Sequence, residues 1–113
     1  MAKDITVFLK HIIESAELIE EYLENKQLEE FLKSKILQDS VIRRLEIIGE
    51  AVKNIPDNFK NSYPELPWRK MAGLRDILIH QYFGIDMELT WEIAKNNVPE
   101  LKLEIKSVLT RIE

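Results

Sequence analysis

Residues 37–55 read Leu-Gln-Asp-Ser-Val-Ile-Arg-Arg-Leu-Glu-Ile-Ile-Gly-Glu-Ala-Val-Lys-Asn-Ile. Leu37, Val41, Leu45, Ile48, Val52 and Ile55 recur at steps of three and four, so a helix lines them up as one apolar stripe. The helical stretch containing them extends from about Leu28 to Asn54, with a break expected near Lys33–Ser34. Upstream, Asp4 is placed to cap a first helix. Ile5, Phe8, Leu9, Ile12, Ala16, Ile19 and Leu23 form its apolar stripe, Lys10, Glu14, Glu17, Glu20 and Glu24 its charged side, and Asn25 its end.

Downstream, Pro56 opens a polar run to Pro64 that reads as a loop. Pro67 suits the first turn of a third helix, where its missing N–H costs nothing. That helix is expected to carry Trp68 to about Tyr82, with Gly84 as its stop. Asp86 caps a last helix through Leu89, Trp91, Ile93 and Ala94. Pro99 kinks or restarts it, and Leu101, Leu103, Ile105, Val108 and Leu109 continue to the end. Nothing alternates with a period of two. The expectation is an all-α chain, an up-and-down bundle of four to five helices forming a single domain over residues 1–113.

Composition narrows the function classes. At 45% hydrophobic and 32% charged residues, the chain can fold rather than stay disordered. The absence of cysteine removes disulfides, thiolate metal sites and a cysteine nucleophile. With two histidines and no paired-ligand motif, no zinc site and no cofactor is expected. No run of about 18 apolar residues exists, and the start lacks a signal-peptide pattern, so a cytoplasmic protein without a membrane partner is expected. The formal net charge of −4 disfavours a general nucleic-acid-coating protein; any RNA contact must use a local patch. A domain this short buries about two-thirds of its unfolded surface, so a partner subunit would stabilise it.

Reactive side chains concentrate in Gly73-Leu74-Arg75-Asp76-Ile77-Leu78-Ile79-His80-Gln81-Tyr82-Phe83-Gly84. On a helix, Arg75 and Tyr82 lie within about 20° of each other, whereas His80 sits about 140° from Arg75. Asp76 and His80, four residues apart, are neighbours. Arg75 and His80 converge if the helix loosens or if a second copy of the motif faces the first. Arginine offers a permanent charge matched to phosphate oxygens, and histidine exchanges a proton near neutral pH. Together they suit phosphodiester cleavage by a ribose 2′-hydroxyl, with Asp76 orienting His80.

Blander readings stand beside these. Arg75 and Asp76 can be surface charges, and His80 a helix-end residue on terminal carbonyls. Tyr82 can be a half-buried core residue, His11 solvent-facing, and Trp68 and Trp91 core or interface anchors. Gly49, inside a helix at a cost of about 1 kcal/mol against alanine, marks close approach of another helix or a ligand. Glu50 beside it can pair with Arg75 or make a structural salt bridge.

Arg75-x4-His80-x-Tyr82, with Gly73-Leu74 before it and Phe83-Gly84-Ile85-Asp86 after it, resembles the signature of HepT-like HEPN domains. Arg44-Leu45-Glu46-Ile47-Ile48-Gly49-Glu50-Ala51, Pro67-Trp68-Arg69 and Asn97-Val98-Pro99-Glu100-Leu101 are also similar to that family. The resemblance is strong from about Val41 to Leu103. It implies a homodimeric helical bundle with two Arg-x4-His motifs facing across a cleft. It further implies a metal-independent endoribonuclease toxin of a type II/VII-like toxin–antitoxin pair, encoded beside an MNT-type nucleotidyltransferase antitoxin. Arg75 and His80 would be the catalytic pair, RNA rather than DNA the substrate, and Tyr82 the residue carrying AMP in the silenced state. Many family members have asparagine where Asp76 stands. Two other readings remain open: a non-catalytic substrate-binding or regulatory subunit of a small nucleotidyltransferase, and a structural bundle with no ligand.

Overall fold

The computed structural model describes residues 4–74 and 86–113. Helix α1 spans Ile5–Leu23. Asp4 caps it: its carboxylate accepts from the Thr6 backbone N–H at 3.0 Å and from the Thr6 hydroxyl at 2.6 Å. Leu9, Ile12, Ala16 and Ile19 are fully buried along the expected stripe. The helix stops at Leu23, and Asn25 takes φ 60°, the left-handed conformation that asparagine tolerates at a helix end.

The expected break after Lys33 is present. Helix α2 covers Leu28–Lys33 and α3 covers Lys35–Lys53, with Ser34 extended between them. Ser34 Oγ accepts from the Leu37 N–H at 3.1 Å, capping α3. The buried Gln38 amide donates to the carbonyls of Phe31 and Leu32, each at 3.0 Å, and so satisfies the end of α2. Val41, Leu45, Ile48 and Val52 are fully buried, and Ile55 continues their stripe past the helix end. This face packs chiefly against α1.

The run from Pro56 to Pro64 is not all loop. A short helix α4, Asp57–Asn61, follows Pro56, whose φ is preset for a helix start and whose next residue places an acid in the first turn. The third expected helix is interrupted at Gly73: α5 is Trp68–Ala72, and Leu74 is helical again. A Cβ at Gly73 would sit 3.3 Å from the Arg69 carbonyl oxygen, so the turn is tight there. The expected continuation from Arg75 to Tyr82, and the stop at Gly84, lie outside the described residues.

Asp86 caps α6, Met87–Glu92. Instead of a simple kink at Pro99, the chain makes one π-helical turn, Ile93–Asn97, before α7, Val98–Ile112. Pro99 has no N–H to give the Lys95 carbonyl, and its ring crowds that carbonyl. A one-residue slip relieves this, and the Val98 N–H bonds the Ile93 carbonyl five residues back. Helix α7 lies against α1, tied by Lys102–Glu20 and Lys106–Glu17. The fold is all-helical, with α1, α3 and α7 as its long members. Among the described residues, no helix is long and apolar enough to cross a membrane.

Candidate functional site

Arg75, Asp76, His80 and Tyr82 all lie outside the described residues, as does any pairing of Glu50 with Arg75. What the fold determines is how the chain is held on either side of them. On the approach, Trp68, Met71 and Leu74 are buried in the core, so the backbone is anchored up to the residue before Arg75. The Trp68 indole N–H donates to the Tyr63 carbonyl at 2.9 Å, and the ring meets Phe59 edge-on at 6.4 Å. A tryptophan fixed at both its polar and apolar ends gives α5 one rotational setting. On the exit, the Asp86 carboxylate accepts from the Leu89 N–H at 3.0 Å, and the buried Thr90 hydroxyl donates to the Asp86 carbonyl at 2.8 Å. The motif is therefore strung between two well-tied points.

Two concavities flank α5, and they differ in charge. One, about 390 Å³, is lined by residues including Asp57, Lys60, Asn61, Trp68 and Arg69. Among the described residues, neither Lys60 nor Arg69 has an ion-pair partner. The other, about 550 Å³, has an apolar floor of Met71, Leu74, Ile93, Val98 and Leu101. Its rim carries Glu65, Glu100 and Glu104, with Lys70 and Asn97. Burial, and then the charges of Glu100 and Glu65, push the Glu104 carboxyl above the usual carboxylate range. Glu65 is held below that range, first by a backbone hydrogen bond and then by Arg111, 3.2 Å away.

Other sequence candidates take structural places. Trp91 is half-buried against Phe31, ring centroids 5.6 Å apart, with the Lys95 ammonium 5.2 Å from its centre. Gly49 is buried in α3. His11 is exposed, as expected. No group of three or more metal-ligating side chains occurs among the described residues. The two flanking concavities escaped the sequence reading because their walls come from segments distant in the chain, with no spacing to betray them.

Residues 12–108 match the family described as Ribonuclease HepT-like. A Methanocaldococcus jannaschii protein named "Gamma-glutamylcyclotransferase and putative RNase" is 51% identical over 113 residues, covering all of this chain but 51% of that protein. This chain thus spans about half of that relative's length. A second protein of that organism, named "Putative RNase", is 49% identical over 111 residues, 98% of this chain and 92% of the relative. The "Probable ribonuclease HepT" of Thermococcus cleftensis is 53% identical over 95 residues, 84% of this chain and 86% of the relative. No solved structure matches the chain. A family match over most of the sequence, with full-length relatives near half identity, places the chain in the HepT-like ribonuclease family.

Proposed function

We propose that this protein is a metal-independent endoribonuclease, the toxin of a pair whose other member is an MNT-type nucleotidyltransferase. The observation that carries the reading is the family match over residues 12–108, which encloses the complete Arg75-x4-His80-x-Tyr82 motif. The protein acts as a homodimer in which the two motifs face each other across a cleft, which brings Arg75 and His80 together despite their angular separation on one helix.

In the reaction, a ribose 2′-oxygen attacks the adjacent phosphorus and the bond from phosphorus to the 5′-oxygen breaks. His80 takes the hydroxyl proton or supplies one to the leaving 5′-oxygen, and Arg75 stabilises the charge on the phosphoryl oxygens. The products are a 2′,3′-cyclic phosphate and a free 5′-hydroxyl. Asp76 holds the His80 imidazole in one tautomer. Lys60 and Arg69, without an ion-pair partner among the described residues, lie beside the approach to the motif and suit the backbone of a bound RNA.

Silencing follows from Tyr82. Its phenol oxygen takes AMP from ATP, with pyrophosphate leaving, in a reaction of the nucleotidyltransferase. The added phosphate lies against Arg75 and occupies the place of the RNA phosphate. Expression without the nucleotidyltransferase is expected to arrest growth, with relief by Arg75→Ala and by co-expression of an active nucleotidyltransferase that adds AMP mass to Tyr82. Unimpeded growth with confirmed, unmodified protein would instead favour the non-catalytic subunit.

A further inference from the structure

The rim of the larger flanking groove and a corner at the far end of α2 are complementary in both polarity and charge. The groove offers an apolar floor, and among the described residues its Glu100 and Glu104 carboxylates have no cation partner, whereas Glu65 is engaged by Arg111. Lys70 is the groove's own cation. Gathering carboxylates over an apolar floor is unfavourable for the isolated chain, as the raised Glu104 carboxyl reflects.

The corner is the α2–α3 junction, Leu32-Lys33-Ser34-Lys35-Ile36. Ile36 is 82% exposed and Leu32 39% exposed, large aliphatic side chains left in water. Lys33 and Lys35 alternate with them, and Lys26 joins Lys33 along the adjoining concavity of about 580 Å³ beside Tyr22 and Leu37. Among the described residues, none of these three lysines has an ion-pair partner. The acids nearest in sequence are Glu29, Glu30 and Asp39, of which Glu30 accepts the Gln27 N–H at 2.9 Å. The two hydrogen bonds from Gln38 to the end of α2 fix the corner's shape. A corner so fixed cannot fold back into its own groove.

We infer that the Leu32–Ile36 corner of one copy docks in the Glu100/Glu104 groove of another. Ile36 and Leu32 cover the apolar floor, and Lys33 and Lys35 meet the two carboxylates. The contact is heterologous, so a docked pair still presents one free corner and one free groove, and association proceeds until a ring closes. RNA does not fit this groove, because its phosphates would meet carboxylates. Opposite charges brought together at the edge of a low-dielectric floor are screened by salt only in part.

Charge reversal tests the contact. One variant carries Lys33→Glu with Lys35→Glu, the other Glu100→Lys with Glu104→Lys; all four sites are on the surface or rim. Light scattering at tens of micromolar reads the mass as a multiple of the 13.3 kDa chain. The wild type is expected to exceed the mass of the motif-facing dimer, each variant alone to make the further contact at least tenfold more weakly and fall back toward that dimer, and a one-to-one mixture of the variants to exceed it again. Ile36→Glu, at an open position, should match the first variant with its helical circular dichroism unchanged. A wild type no larger than a dimer, variants with wild-type mass, or a mixture no larger than the variants alone would each overturn the inference. RNA cleavage is not read in this experiment, so a silent nuclease leaves its outcome unaffected.

Discussion

The frame of α1, α3 and α7 and the stretch from Pro56 to Asn97 are built on different principles. In the frame, helices of 15 to 19 residues bury continuous stripes, and their position is set by summed apolar contact. Among the described residues between Pro56 and Asn97, α4, α5 and α6, of five or six residues each, are too short to be held by periodic burial. They depend instead on single devices: Pro56, the Trp68 indole bond, Gly73, the Asp86 cap and the π turn before Pro99. The frame supplies stability with redundancy. The short stretch supplies placement, and the candidate chemistry hangs from it.

Substitutions can break this division. The largest effect is expected for Phe31→Ala, since Phe31 is fully buried and its ring meets Trp91 at a tilt, linking α2 to α6. A loss of about 3–5 kcal/mol is expected by denaturant titration. Ile48→Ala, in the middle of the α3 stripe, should cost about 2–5 kcal/mol. A much smaller loss at Ile48 would show that the frame is not where stability resides.

Asp86→Ala removes a single cap, so about 1 kcal/mol of stability is expected to go. RNA cleavage should fall more than that loss explains, because the cap holds one end of the motif segment. Cleavage unchanged by Asp86→Ala would mean the motif is positioned without its exit anchor.

The smallest effect concerns Glu104. Its folded pKa is raised, so its ionised form weakens the fold, and stability grows as pH falls through the raised value toward that of the unfolded chain. Glu104→Gln, read at a concentration too low for the groove to be docked, should therefore raise the melting temperature slightly at neutral pH. The gain should disappear below the ordinary glutamate pKa of about 4.3. A gain that persists in acid would assign it to packing rather than charge.

The same contrast explains what could be read without coordinates. The stripes of α1 and α3 repeat over five turns, so their faces and nearly their ends follow from spacing, and Ser34 and Asp86 mark boundaries by their capping chemistry. A five-residue helix such as α4 does not complete two turns, so periodicity cannot distinguish it from a loop. Gly73 closes α5 inside a continuing apolar pattern, because the turn at that residue is tight. Pro99 signalled a disturbance, but its form, a π turn, depends on packing that tolerates a one-residue slip. The motif was legible as an ordered pattern of Arg75, His80 and Tyr82. The charged concavities beside it were not, since they join residues 65–74 with 93–104, and 57–61 with 68–72.

Arg75 and His80 are proposed to cleave RNA without a metal. The direct test incubates purified protein, shown by mass spectrometry to carry no AMP on Tyr82, with total cellular RNA in EDTA. Arg75→Ala and His80→Ala are run beside it. Cleavage by the wild type that leaves cyclic-phosphate ends, reduced about 10²–10⁴-fold by His80→Ala, is the predicted result. Robust cleavage by His80→Ala, or none by the unmodified wild type across varied RNAs, would contradict it.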